Sequence, residues 1–155
     1  MLLGAIDNNA PYSAQIDSAI VHINFFHVPR FRRTTYETLK SRGDILSNDS
    51  LKRTVSNIYD RTFSYLIEDH LKLEWATYNQ QTLRYNEKYL RFKGGAVPVA
   101  LPVDFEKIKS DTGFANYLSL LIGMRNYGVS TYANTIEEIQ KVITSINEEL
   151  ETLKS

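Results

Sequence analysis

Apolar residues return every three or four positions along most of this chain, and the breaks in that rhythm divide it into four helices. Ile16, Ala19, Ile20 and Ile23 lie at i, i+3, i+4 and i+7, one face of a helix predicted over about 13–27. Ser13 is its N-cap candidate, and Pro29 forbids its continuation. A second short helix is predicted over about 31–42, with Tyr36 and Leu39 inward and Gly43 in the left-handed C-cap position. Next come two apolar residues, Ile45 and Leu46, able to staple over a first helical turn, and four cap candidates, Ser47, Asn48, Asp49 and Ser50. The chain is therefore expected to turn back sharply here.

Residues 49 to 92 contain neither proline nor glycine and predict one long helix. Its apolar seam begins at Leu51, Val55 and Ile58, drifts through Tyr59, Phe63 and Leu66, and settles on Leu71, Trp75, Tyr78, Tyr85, Tyr89 and Phe92, with Thr82 in the one polar slot. That drift predicts a kink or register shift near 67–71. The stretch "KGGAVPVALPVD" (93–104) reads as a linker that reverses the direction, followed by a short turn capped by Asp104. Asp111 or Thr112 can then cap a second long helix, 112–154. Along its second half Tyr132, Ile136, Ile139, Ile143, Ile146, Leu150 and Leu153 form a heptad seam for packing against another helix. Gly123 and Gly128 mark either a bend or a close helix–helix approach. The fold class expected is all-α: one domain over 1–155, an elongated helical bundle built on an antiparallel hairpin of two long helices plus two short N-terminal helices.

Composition narrows the function classes. Eighteen basic residues balance eighteen acidic ones, so no long-range field gathers phosphates and nucleic acid is not an expected partner. No cysteine is present, which excludes disulfides, thiolate metal sites and a cysteine nucleophile within the chain. Uncharged runs such as "TGFANYLSLLIGM" fall short of the ~20 residues that span a bilayer, and "MLLGAIDNNAP" lacks the pattern of a signal peptide. The chain is expected to be soluble, with any anchor outside it.

Candidate chemistry is sparse. His70 and Glu74, at i and i+4, could form half of a metal site, but the other half is missing and a solvated polar face is the better reading. His22 and His27 would point about 140° apart around a helix and make no pair. No Gly-x-Ser-x-Gly turn supports a serine hydrolase, and "KGGAVP" lacks the end of a phosphate loop. Glu148, Glu149 and Glu151 read as a charged flank. No cofactor and no catalytic residue is expected. The aromatic set Trp75, Tyr78, Tyr85, Tyr89, Phe92, Phe114, Tyr117, Tyr127 and Tyr132 gathers toward the hairpin end of the two long helices. The set reads as bundle core or as an interface or small-ligand pocket, because tyrosine buries area while keeping a polar tip.

Two segments, "TTYETLKSRGDILSNDSLKRTVSNIYD" and "DFEKIKSDTGFANYLSLLIGMRNYGVSTYANTIEEIQKVITSINEEL", resemble an uncharacterised bacterial family of membrane-anchored proteins, each with one transmembrane helix before a helical extracytoplasmic region. The resemblance covers most of the chain and implies a helical extracytoplasmic domain; it brings no reaction and no catalytic residue. The anchor helix of that family is absent here, so membrane association would run through a segment outside this chain. The function expected is a non-enzymatic helical interaction or sensory module, acting as a homo-oligomer or with a helical protein partner. The alternative is a structural coiled-coil assembly protein.

Overall fold

The computed structural model describes residues 1–26, 30–42, 48–94 and 99–154. Helix makes up 81% of the described residues, and a small two-stranded antiparallel sheet accompanies it. The contacts gather into two compact units, Met1–His27 with Leu73–Asn126 (unit 1) and Val28–Lys72 with Tyr127–Ser155 (unit 2).

Unit 1 opens with a helix that the periodicity did not single out, α1 (Leu2–Asp7), which buries Leu2 and Ile6. Asn8 is its C-cap, and the next residue, Asn9, takes a positive φ of 49° that asparagine tolerates better than most residues. Helix α2 (Ala14–Ile23) starts after Ser13 as expected and buries Ile16, Ile20 and Ile23. It ends four residues before the expected His27, where Asn24 is its C-cap and the Arg125 side chain donates to its last carbonyls. Pro29, the predicted stop, lies outside the described residues, as do Gly43, Ile45, Leu46 and Ser47.

In unit 2, α3 (Thr34–Arg42) buries Tyr36, whose hydroxyl donates to Asp60 Oδ2 at 2.6 Å. That bond holds the Asp60 carboxyl below its ordinary range, with Lys40 adding to it. Helix α4 (Asp49–Asn57) is capped by Asn48, whose side-chain oxygen accepts from the Ser50 and Leu51 amides at 3.0 and 3.1 Å.

From α4 onward the backbone stays helical to Tyr89 but not uniformly α. Three π-helical turns, π1 (Ile58–Thr62), π2 (Leu66–His70) and π3 (Tyr78–Thr82), alternate with α5 (Phe63–Tyr65), α6 (Leu71–Thr77) and α7 (Leu83–Tyr89). One of them, π2, falls where the drifting seam predicted an irregularity. A π turn holds an extra residue, and the buried positions show where it goes. Ile58 and Phe63 are both buried across π1, and Thr77 and Thr82 across π3, each pair five apart instead of three or four. The turns therefore keep one face inward while the sequence slips.

The long helix ends at Tyr89 and not at Phe92. Leu90–Lys93 forms β1, which pairs with β2 (Val99–Pro102), so part of the expected linker is a hairpin. Phe92 favours a strand, and Pro102 lies on an edge strand, where its missing N–H is tolerated. Ala100 of β2 is buried in the unit 1 core. Helix α8 (Phe105–Ser110) follows, with the Asp104 side chain accepting from the Lys107 amide at 3.2 Å. Helix α9 (Thr112–Lys154) is uninterrupted.

Each unit has its own apolar core. In unit 1, Ile20 and Ile108 lie at the centre with Phe105, Phe114 and Leu118. In unit 2, Ile58, Phe63 and Val142 are the buried centre, flanked by Phe31, Val55, Tyr59, Ile139 and Ile146. Phe31 stacks flat on Phe63 with centroids 3.7 Å apart, and Tyr36 stacks on Tyr59 at 4.4 Å.

Candidate functional site

Inside unit 2 the inward line of α9 is Thr135, Ile139, Val142 and Ile146, spaced four, three and four. The seam read from the sequence shares Ile139 and Ile146 with that line and otherwise lies beside it. Ile136, Ile143, Leu150 and Leu153 are 55%, 52%, 48% and 68% exposed. The helix is turned so that Val142, not Ile143, meets Ile58 and Phe63. An apolar stripe with strict seven-residue spacing at 136, 143 and 150 is thereby left outward.

The nine candidate aromatics do not form one cluster. Tyr85, Tyr89, Phe114 and Tyr117 pack together in the core of unit 1, with centroid separations of 5.0 to 6.3 Å. Burial pushes the Tyr117 and Tyr89 phenols above their ordinary values. Trp75 and Tyr78 form a second group with Phe26, where Phe26 meets the indole edge-on at 5.3 Å and Trp75 remains exposed. Phe92 is exposed on β1. Tyr127 and Tyr132 belong to unit 2. The Tyr127 hydroxyl shares a 2.6 Å hydrogen bond with Tyr65, a bond that raises the Tyr65 phenol, and Tyr132 meets His70 edge-on at 5.7 Å.

Sequence reasoning missed a polar interior. Glu74, Thr77 and Asn86 are buried one position off the seam expected at Trp75, Tyr78 and Tyr85, and they join Thr82, buried in the polar slot expected for it. Glu74 was expected on a solvated face and is 4% exposed, its Oε1 3.5 Å from Arg125 Nε. Arg125 also donates from its two terminal nitrogens to the His22 and Ile23 carbonyls at 2.8 and 3.1 Å, satisfying the end of α2 where the helix dipole is negative. Asn86 donates to Asn24 at 2.5 Å, and Asn24 donates to the Ile20 carbonyl at 3.3 Å. Thr82 and Tyr117 share a 2.7 Å bond, and Thr77 donates to Met124 Sδ at 3.6 Å. A buried polar group without a partner costs more than its hydrogen bond returns. Here each is answered by a group on another element, so the stripe joins α2, the 74–86 stretch and α9 within unit 1. The signal for it was the spacing of five across π3, invisible to a count based on 3.6 residues per turn.

His70 belongs to unit 2. Its ring occupies the space a side chain at Gly128 would need: an added Cβ there would lie 2.6 Å from His70 Cε1 and 2.9 Å from Nε2. Of the two glycines read as a bend or a close approach, Gly128 makes the approach, while Gly123 has open space around it. Gly128→Ala is expected to be neutral to destabilising, because the helix-propensity gain of ~1 kcal/mol is offset by displacing the imidazole. In a His70→Ala background the same change should stabilise by about 1 kcal/mol, so a double-mutant cycle in urea should give a clear interaction energy. Equal effects in both backgrounds would show that the ring does not depend on the gap.

Among the described residues no group of three or more His, Asp or Glu side chains could hold a metal ion, and no helix is long and apolar enough to cross a membrane. Glu149 accepts from Asn48 at 3.0 Å and Glu151 pairs with Lys154 at 2.7 Å, both at the surface. Compared with protein-family models, curated proteins and solved structures, the chain finds no significant match in any of the three.

Proposed function

We propose that this chain is a non-enzymatic helical interaction module that self-associates through the outward stripe of α9. The observation that carries this reading is the strict heptad of Ile136, Ile143 and Leu150, each about half exposed, continued by Leu153. Large apolar side chains in register along a helix lose ~25 cal/mol per Å2 while wet, and a second helix laid along them recovers it. A second copy of the chain is the partner chosen, because the stripe can meet its own image across a two-fold axis.

The finer architecture belongs to the same proposal: two long helices forming an antiparallel hairpin, consistent with pairs that run in opposite senses within each unit. Thr62 meets Glu138 and Tyr65 meets Tyr127 in unit 2; Thr77 meets Met124 and Lys88 meets Asp111 in unit 1. By the resemblance of its two quoted segments, the module would act on the extracytoplasmic side of a membrane, held there by a segment beyond this chain.

Sedimentation equilibrium over a wide concentration range tests the association. The wild-type chain is expected to pass from monomer to dimer, and Ile136→Glu, at an exposed site outside the core, should stay monomeric with an unchanged melting temperature. A mass beyond the dimer would favour a structural coiled-coil assembly. A strict monomer in both proteins would sink the reading.

A further inference from the structure

Unit 2 contains an open cleft of about 750 Å3, a size common for small-molecule sites. Its walls come from α4 and π1 on one side and from the 131–145 part of α9 on the other. Eleven of the thirteen residues lining it carry a hydroxyl, amide or charged group, although the exposed wall itself is mostly apolar. Four of those hydroxyls have already committed their protons: Thr54 to the Ser50 carbonyl at 2.9 Å, Thr131 to Tyr127 at 2.9 Å, Thr135 to Thr131 at 2.9 Å, and Thr62 to the Glu138 carboxylate at 3.3 Å. A hydroxyl that has donated keeps acceptor lone pairs. One wall chemistry is thus set as acceptor, reinforced by Glu138. The exposed amides of Asn57 and Asn134 offer both donors and acceptors, and Arg61 and Lys141 donate only.

A ligand for such walls must donate and accept at many points, which is the property of a carbon skeleton covered in hydroxyls. The charges lining the cleft leave one positive charge in excess, which disfavours a polyamine and favours an added carboxylate. Tyr65, 44% exposed, adds a flat apolar face with its hydroxyl already fixed by Tyr127, a surface suited to the C–H face of a sugar ring. π1 supplies Ile58, Arg61 and Thr62 to the lining, and π turns recur at functional sites. We propose that this cleft binds a saccharide, preferentially one bearing a carboxylate. The α9 positions involved, such as 134, 138 and 141, are distinct from the 136, 143 and 150 stripe, so the proposal stands or falls separately from self-association.

Amide-resolved NMR titration of the full chain with digalacturonate tests it, with glutarate as a dicarboxylate that lacks hydroxyls. Digalacturonate is expected to shift the amides of Asn57, Arg61, Thr62, Asn134 and Glu138, and glutarate to leave them in place. Asn134→Leu and Asn57→Leu, both at exposed positions, should each weaken binding by about tenfold, the worth of one or two lost polar contacts, with unchanged melting temperature and unchanged sedimentation mass. The proposal is overturned if digalacturonate produces no shifts or shifts elsewhere, if glutarate matches it, or if both leucine variants bind like the wild type.

Discussion

Replacing Arg125 with alanine is expected to remove about 2 to 3 kcal/mol of stability, a large share of what a small protein has. The loss has two sources. Glu74 is 4% exposed and would keep a buried carboxylate without its counter-charge, a situation that typically costs ~3–5 kcal/mol, reduced here because the arginine side chain itself is partly solvated. The carbonyls of His22 and Ile23 would also lose their donors. Urea unfolding should therefore show a lower midpoint with little change in slope. Glu74→Gln added to Arg125→Ala should restore part of the loss, because a neutral amide is cheaper to leave inside. Arg125→Lys should fall between, since an ammonium keeps the charge but not the planar fork that reaches two carbonyls. If the alanine variant lost less than about 0.5 kcal/mol, or the glutamine restored nothing, Glu74 would not depend on Arg125.

The second large effect is expected at Asp111, where one carboxylate serves three partners. Its Oδ2 accepts from Lys88 Nζ at 2.7 Å and from the Tyr89 hydroxyl, and its Oδ1 accepts from the Phe114 amide at 3.0 Å, capping α9. Asp111→Ala should cost about 2 kcal/mol, the sum expected for a lost cap and charge-assisted bonds. Asp111→Asn, which still caps, should cost less, and the difference measures the charge. Lys88 first and Tyr89 next hold the Asp111 carboxyl far below the ordinary carboxylate range. The unfolded chain therefore takes up this proton more readily than the folded one. The contribution is complete above about pH 4, the unfolded carboxyl value, and declines as the pH falls below it toward the folded value. Acid unfolding of Asp111→Asn should accordingly show a shallower pH dependence below pH 4 than the wild type; identical acid limbs would mean that Asp111 takes no part in that loss.

How much of this was legible depended on whether local chemistry or long-range packing decided the outcome. The caps at Asn48, Asp104 and Asp111 follow from side chains that accept from amides two or three residues on, and the sequence contains everything needed to find them. The mostly helical character likewise follows from local periodicity. The face each long helix turns inward was harder. Every residue inserted by a π turn moves the following face by one position, so Trp75 and Tyr78 were expected where Glu74 and Thr77 are found. On α9 two apolar lines run side by side, and only the position of Ile58 and Phe63 decides that Val142 goes in and Ile143 stays out. The β1–β2 pairing was hidden because its register is a contact between residues up to twelve apart, across a stretch whose glycines and prolines speak only of a turn. The polar cleft left no trace in the sequence, since its hydroxyls and amides come from two helices distant along the chain.

The way the two units divide the sequence also sets an order in time. Unit 1 draws on Met1–His27 and Leu73–Asn126, and unit 2 on Val28–Lys72 and Tyr127–Ser155. On a ribosome neither first piece has its complement when it emerges. Residues 28–72 must wait, with Ile58 and Phe63 lacking Val142, until the chain beyond 127 is made, whereas every part of unit 1 has been translated by residue 126. Domains tend to fold as units during synthesis, so the first-born half of unit 2 is the segment of this protein with the longest need for a chaperone.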